Sequence, residues 1–190
     1  MRKLTYFVAC TVDGFIAKED GSFAFFPSTG EHLRYIVEEY PETIPGHLRE
    51  ALGVRGGNTH FDTVLMGRKT YEVGLALSVT SPYAHLRQYV VSRTMATSPS
   101  LDVTLVSTDP TGLVRDLKRE DGLDIWLCGG ASLAAAVYGE IDELIVKVNP
   151  IVLGAGIGLF EGVQGPTTLE LLDHRTFAGG VAIHRYGVVK

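Results

Sequence analysis

Three short segments combine small residues with cations or hydroxyls in a way that suits a phosphorylated ligand. Met66-Gly67-Arg68-Lys69-Thr70-Tyr71 sets two cations and a hydroxyl directly after a glycine. Ser92-Arg93-Thr94 supplies a further cation between two hydroxyls, and Gly129-Gly130-Ala131-Ser132 offers backbone with little side chain over it. Each follows an apolar run of strand type: Thr63 to Met66, Gln88 to Val91 and Ile125 to Cys128. In an open α/β sheet, ligands bind beyond the carboxyl ends of the strands, where helix starts turn free N–H groups toward anions. Read alone, any one of these segments describes a solvated helix start or a packing glycine. Repeated at successive strand ends, they describe an anion site.

Two acids are candidates for the chemistry itself. Asp13, in Val12-Asp13-Gly14, follows the first strand where a cleft would open, and it has an equal claim as a turn residue before glycine. Glu31 could present a carboxylate from a first helix, but with Ser28 it also has the spacing of a capping box, which is the preferred reading. Other chemistries lack their motifs. The six histidines show no metal-ligand spacing, and there is no Cys-x-x-Cys, no Gly-x-Ser-x-Gly elbow and no P-loop. Gly154-Ala155-Gly156-Ile157-Gly158 misses the full spacing of a dinucleotide fingerprint and reads as a flexible glycine loop.

The elements that must position these residues alternate between strand-like and helix-like. Strands are expected at Leu4 to about Thr11, at the three runs above, and at Val103 to Val106, with a short apolar patch at Phe15-Ile16-Ala17. A helix follows Ser28, with Leu33, Ile36, Val37 and Tyr40 on one face and Pro41 as its stop. Asp109-Pro110 opens a second helix that faces Leu113, Val114 and Leu117 inward. A small-residue helix from Ala131 to Tyr138 closes at Gly139. Leu144 to Val148, Leu169 to Leu172 and Val181 to Val188 then read as strands, with Gly179-Gly180 as a hairpin or bulge. The expectation is one α/β domain over residues 1–190, with a mostly parallel central sheet, helices on both faces and an antiparallel C-terminal edge. The segment Thr43 to His60, rich in glycine, is where specificity would most naturally lie.

The composition narrows the partners. The chain has 190 residues, a formal charge of −5 and scattered Lys and Arg, which is no pattern for nucleic acid. No apolar stretch is long enough to span a membrane, and Met1 to Val8 reads as a buried strand rather than a signal peptide. Cys10 and Cys128 each lie in an apolar run and read as small buried hydrophobes, which fits a reducing cytoplasm.

Five blocks in order carry a resemblance: Val8-Ala9-Cys10-Thr11-Val12-Asp13-Gly14-Phe15-Ile16-Ala17, Met66 to Glu72, Val90-Val91-Ser92-Arg93, Leu127 to Ala131, and Asn149 to Gly156 with Leu159-Phe160. Over nearly its whole length the chain resembles the dihydrofolate-reductase-like superfamily, most closely the reductase domain of bacterial riboflavin biosynthesis and its stand-alone relatives. The resemblance implies a three-layer fold and an NADPH-dependent reductase acting on a small-molecule substrate, heterocyclic (pyrimidine- or pterin-like) or carbonyl. It implies that backbone near Ala9 and Ile16 holds the nicotinamide carboxamide. Gly67, Arg68, Lys69 and Thr70 would hold phosphates, Arg68 and Arg93 are candidates for the 2′-phosphate, and Ser92 stands beside them. Gly129, Gly130, Ala131 and Ser132 would cover the pyrophosphate. The substrate side departs from the superfamily, because Phe23 to Glu31 lacks the tryptophan-then-acid pattern that grips a pterin. The alternative is therefore a catalytically silent nucleotide-binding protein that keeps the fold but not the proton donor. Relatives often pair through sheet edges, so a homodimer is expected.

Overall fold

Strands buried on both faces form the centre of the computed structural model, which describes residues 1–163 and 165–189. β1 (Leu4–Thr11), β3 (Phe61–Gly67), β4 (Arg87–Val91), β5 (Val103–Val106), β6 (Asp124–Gly129) and β7 (Glu143–Asn149) run parallel in the order β5-β4-β3-β6-β1-β7. Their near-continuous apolar sequences follow from that position, since both sides of a parallel sheet are covered. β10 (Ala182–Val188) then pairs antiparallel with β7, and β9 (Leu169–Thr176) antiparallel with β10 at the edge. The expected mostly parallel sheet with an antiparallel C-terminal edge is what forms. Gly179 and Gly180 make its hairpin, both at positive φ, where a side chain would strain the turn.

Helices cover both faces. α1 (Glu31–Glu39) and α3 (Arg68–Ala76) lie over Phe7, Phe61, Met66, Trp126 and Ile145, to which they add Tyr35, Ile36 and Tyr71. α4 (Pro110–Arg119) and α5 (Ala131–Ala136) lie over Tyr6, Leu65, Ile125, Leu127 and Leu144, contributing Val114, Leu117, Leu133 and Ala134. α4 starts as its sequence requires: the Asp109 carboxylate accepts the Gly112 N–H at 2.8 Å, and Pro110 occupies the first turn.

Several local expectations are overturned. The capping box does not form: α1 begins after Gly30, with no side-chain cap, and Ser28 lies upstream. Glu31 instead accepts the Ala178 N–H at 3.4 Å, so contact with the β9–β10 turn outcompetes the local cap. α5 ends at Ala136 with Val137 as its C-cap, and Gly139 falls inside a following 3₁₀ turn rather than capping the helix. Gly154 to Gly158 is not a free loop. β8 (Ile157–Gly158) pairs with β2 (Phe15–Ala17) in a separate small sheet. Thr43 to His60 includes α2 (Gly46–Arg49), and its last residues lie where β3 and β4 begin, Asn58 donating to the His85 carbonyl at 2.9 Å. The Glu42 carboxylate there takes the His60 and Phe61 N–H groups at 2.6 and 2.7 Å, just where β3 begins.

Candidate functional site

The chain reverses its winding direction between β3 and β6. β3 leads outward to β4 and β5, the chain returns through α4 to β6, and β6 lands between β3 and β1. α3 leaves β3 on one face while α5 leaves β6 on the other. A crevice must open at such a switch point, outside the carboxyl ends of the two strands.

Glycines line it because backbone meets backbone there. A Cβ on Gly67 would lie 3.4 Å from both the Gly129 carbonyl oxygen and the Gly130 nitrogen, and one on Gly130 would come within 3.8 Å of Thr70 Oγ1. The Gly129–Gly130 peptide is cis, and Gly129 has φ +122°, a value that side-chain-bearing residues rarely adopt. Gly67 and Gly130 are the caps of α3 and α5, with no side chain filling either cap position. The free N–H groups of both helix starts therefore border one crevice.

Around this frame the expected binding residues fall as follows. Lys69 and Arg93 are exposed and pair with no carboxylate among the described residues. Arg68 reaches forward to Glu72 at 2.6 Å, so its guanidinium is shared. Ser92 is buried, and its hydroxyl accepts the Thr94 and Met95 N–H groups at 3.2 and 2.9 Å, shaping the turn that projects Arg93. The β3–β4 register sets Val91 beside Gly67, which brings that turn to the same rim. Ala131 is buried and offers only backbone, while the Ser132 hydroxyl donates to Glu161. Tyr6 lies level with Leu127, so Ala9 reaches the height of the Gly129–Gly130 turn. Ile16, in β2, packs toward the core on the α5 side. The structure thus brings Gly67, Thr70, Ser92, Arg93, Gly129 and Gly130 to one rim.

The two acids stand apart from each other and from that rim. Asp13 accepts from Thr11 Oγ1 at 2.6 Å, from the Leu153 N–H at 3.1 Å and from the Gly154 N–H at 2.7 Å. These hydrogen bonds, the Thr11 hydroxyl first, bring its pKa down to about 2, so it is an anion that clamps the Leu153–Gly154 turn and holds no proton to give near neutrality. Glu31 is exposed and turned to Ala178. Both carboxylates hold backbone N–H groups, Asp13 at the Leu153–Gly154 turn and Glu31 at Ala178.

Other groups at the strand ends belong to no motif in the sequence. Lys147 stands beside Ala9 in the β1–β7 ladder, and His32 is buried at the start of α1. The sequence signal for Lys147 was a cation inside the run Leu144 to Val148; His32 gave none. Asn149 donates to the Cys10 carbonyl at 3.0 Å, and its Oδ1 is buried without a donor. Burial pushes the thiols of Cys10 and Cys128 up to about 11 and about 12, as befits hydrophobic packing rather than nucleophilic use. Among the described residues, no group of His, Cys, Asp or Glu is arranged to hold a metal, and no helix is long and apolar enough to cross a membrane.

Comparisons with known proteins agree with this geometry. Among curated proteins, the chain is 32% identical to the uncharacterized protein YwjB of Bacillus subtilis over 96% of this chain and 97% of that one. It is 31% identical to the uncharacterized protein YyaP of the same organism, over 63% of this chain and 70% of the other. Among solved structures, a riboflavin biosynthesis protein (so described provisionally) from Shewanella sp. PV-4 superposes with a TM-score of 0.73, at 20% identity over 99% of both chains. The deaminase/5-amino-6-(5-phosphoribosylamino)uracil reductase of Thermotoga maritima gives 0.69 at 14% identity; all but 1% of this chain corresponds to 57% of that longer one. These likenesses show a shared, reductase-like fold. The family model described as the RibD C-terminal domain matches residues 2–183, and the chain belongs to that family.

Proposed function

We propose that the protein binds NADPH across the Gly67/Gly129–Gly130 crevice and uses it to reduce a small heterocyclic (pyrimidine- or pterin-like) or carbonyl substrate in a reducing cytoplasm. The observation that carries this reading is the meeting of two glycine-led strand ends at the switch point, with helix starts on opposite faces and exposed cations at the rim. That donor set fits a pyrophosphate and further phosphate groups. Gly67, Lys69 and Thr70 would hold phosphate oxygens, helped by the part of the Arg68 charge that Glu72 leaves. Arg93 would take the 2′-phosphate. Gly129, Gly130, Ala131 and Ser132 would contribute backbone, since the Ser132 hydroxyl is held by Glu161. Backbone at Ala9 and Ile16 would orient the nicotinamide carboxamide.

When bound, NADPH supplies a hydride for a C=N or C=O carbon; the chain supplies position and charge. Asp13 keeps the Leu153–Gly154 turn in place at the cleft mouth, and the β2–β8 sheet walls it. One observation favours the catalytically silent alternative: the hydrogen bonds that hold Asp13 keep it an anion with no proton to deliver near neutrality. The test is NADPH consumption, followed by the absorbance of the reduced nicotinamide, across a panel of pyrimidines, pterins and carbonyl compounds. Protein-dependent consumption with any member supports the reductase. Tight NADPH binding with no consumption across the panel supports the silent binder.

A further inference from the structure

The carboxyl end of β7 carries a cation that no acid among the described residues answers. Lys147 lies between Ala9 of β1 and Ile183 of β10 in the sheet ladders and is half-buried. Among the described residues its Nζ donates to one acceptor, the Pro27 carbonyl oxygen, at 3.4 Å, and burial pushes its pKa down. The buried cations elsewhere are treated differently. Lys118 Nζ sits 2.6 Å from the Asp142 carboxylate, and Arg2 is paired with Asp62. An ammonium withdrawn from water without a counter-charge is unfavourable. Packing alone gives no reason for a lysine where a methionine would fill the same space.

The surroundings extend the pattern. His32 Nε2 lies 3.3 Å from the same Pro27 oxygen, so two basic side chains converge on one carbonyl. Burial, and then the Lys147 charge, lower the His32 pKa, which keeps the imidazole neutral near pH 7. Glu31, next in the chain, is turned away to the Ala178 N–H. Aromatic groups complete the surroundings. The Phe177 ring meets His32 edge-on with 6.4 Å between centroids, and Phe25 and Phe26, their centroids 4.5 Å apart, immediately precede Pro27.

We propose that Lys147 is the substrate-recognition residue of the cleft and takes an anionic oxygen, a carboxylate or an enolate, on the edge of a planar ring. This rests on the reductase reading, because the Ala9 neighbour is what sets Lys147 beside the proposed nicotinamide position. A partly desolvated ammonium gains most from an anionic acceptor, which forms a charge-assisted hydrogen bond in a medium of low polarity. Aromatic side chains nearby suit a flat, apolar body. A ring entering with a cationic edge would meet like charge. The cleft therefore selects for acceptors where an acid-lined pocket would select for donors.

The test uses the full chain loaded with NADP+ and matched pairs of probes: orotate with uracil, nicotinate with nicotinamide, and pterin-6-carboxylate with pterin. Affinities are measured by calorimetry on wild type, Lys147→Met and Lys147→Arg. At least one carboxylate is expected to bind wild type about tenfold more tightly than its neutral partner. Lys147→Met abolishes that preference, Lys147→Arg keeps part of it, and the thermal midpoint of Lys147→Met equals or exceeds that of wild type, since an unpaired charge has been removed. The proposal is overturned if wild type prefers no carboxylate in any pair, or if the preference survives in Lys147→Met. A lowered midpoint in Lys147→Met with binding unchanged would make Lys147 a structural residue instead. NADPH titration of wild type separates the two levels: if it binds and the preference is absent, only the Lys147 assignment falls; if it does not bind, the reductase reading falls too.

Discussion

Arg68 and Arg93 look equivalent in sequence, each a cation just past a strand end, but the fold treats them differently. Arg68 spends its guanidinium on Glu72 one helical turn later, whereas Arg93 is projected by a turn that the Ser92 hydroxyl ties together. Arg93→Ala should therefore weaken NADPH binding by about tenfold, the scale of one charge-assisted contact at an exposed site, and leave NADH unchanged. Arg68→Ala should cost less, and calorimetry on the two variants distinguishes them. Asp13 makes a separate prediction. Its native pKa, about 2, lies below the ordinary carboxylate value. Its stabilising contribution is therefore complete above about pH 4 and disappears as pH falls toward 2. Asp13→Asn should lower the thermal midpoint at neutral pH, and the gap from wild type should close on acidification through that window. A gap that is constant with pH would refute the carboxylate clamp.

At the scale of elements, what the sequence disclosed was local and periodic. Apolar runs ending in Gly67, Ser92 and Gly129 became parallel strands with the binding segments at their carboxyl ends, and Asp109-Pro110 capped α4 as its chemistry demands. What stayed hidden depended on partners far away in the chain. Ser28 and Glu31 have capping-box spacing, but Ala178, distant in sequence, claims the glutamate. The glycines from Gly154 to Gly158 looked like slack until β2 was seen beside them. A Cβ on Gly156 would overlap the Ala17 carbonyl oxygen, so glycine there reflects close approach of two strands. Gly156→Ala should cost about 2 kcal/mol in denaturant unfolding, the scale of a backbone clash that must be relieved by a shift. An unchanged midpoint would mean that the β2–β8 contact yields freely. Lys147 and His32 belong to the same class of hidden feature, since nothing local marks them as neighbours of one carbonyl.

For the whole molecule, the open eight-stranded sheet ends on β9, its outermost antiparallel strand. All eight residues of that strand are exposed, with Leu169, Leu171 and Leu172 left 38, 52 and 45% accessible. An unprotected apolar edge is a template for pairing, so this edge is where the homodimer expected from the sequence would form. Light scattering should give twice the 20.6 kDa chain mass, and Leu171→Glu should shift it to the monomer. A wild-type mass of one chain would contradict the assignment.

The cofactor is the claim on which the rest of the function depends, and calorimetric titration of wild type with NADPH and with NADH tests it most directly. NADPH is expected to bind at micromolar concentration or better and about tenfold more tightly than NADH, because the role proposed for Arg93 is to hold the 2′-phosphate. Equal affinities would remove that role from Arg93, and failure of both nucleotides to bind would leave a reductase-like fold without the reductase.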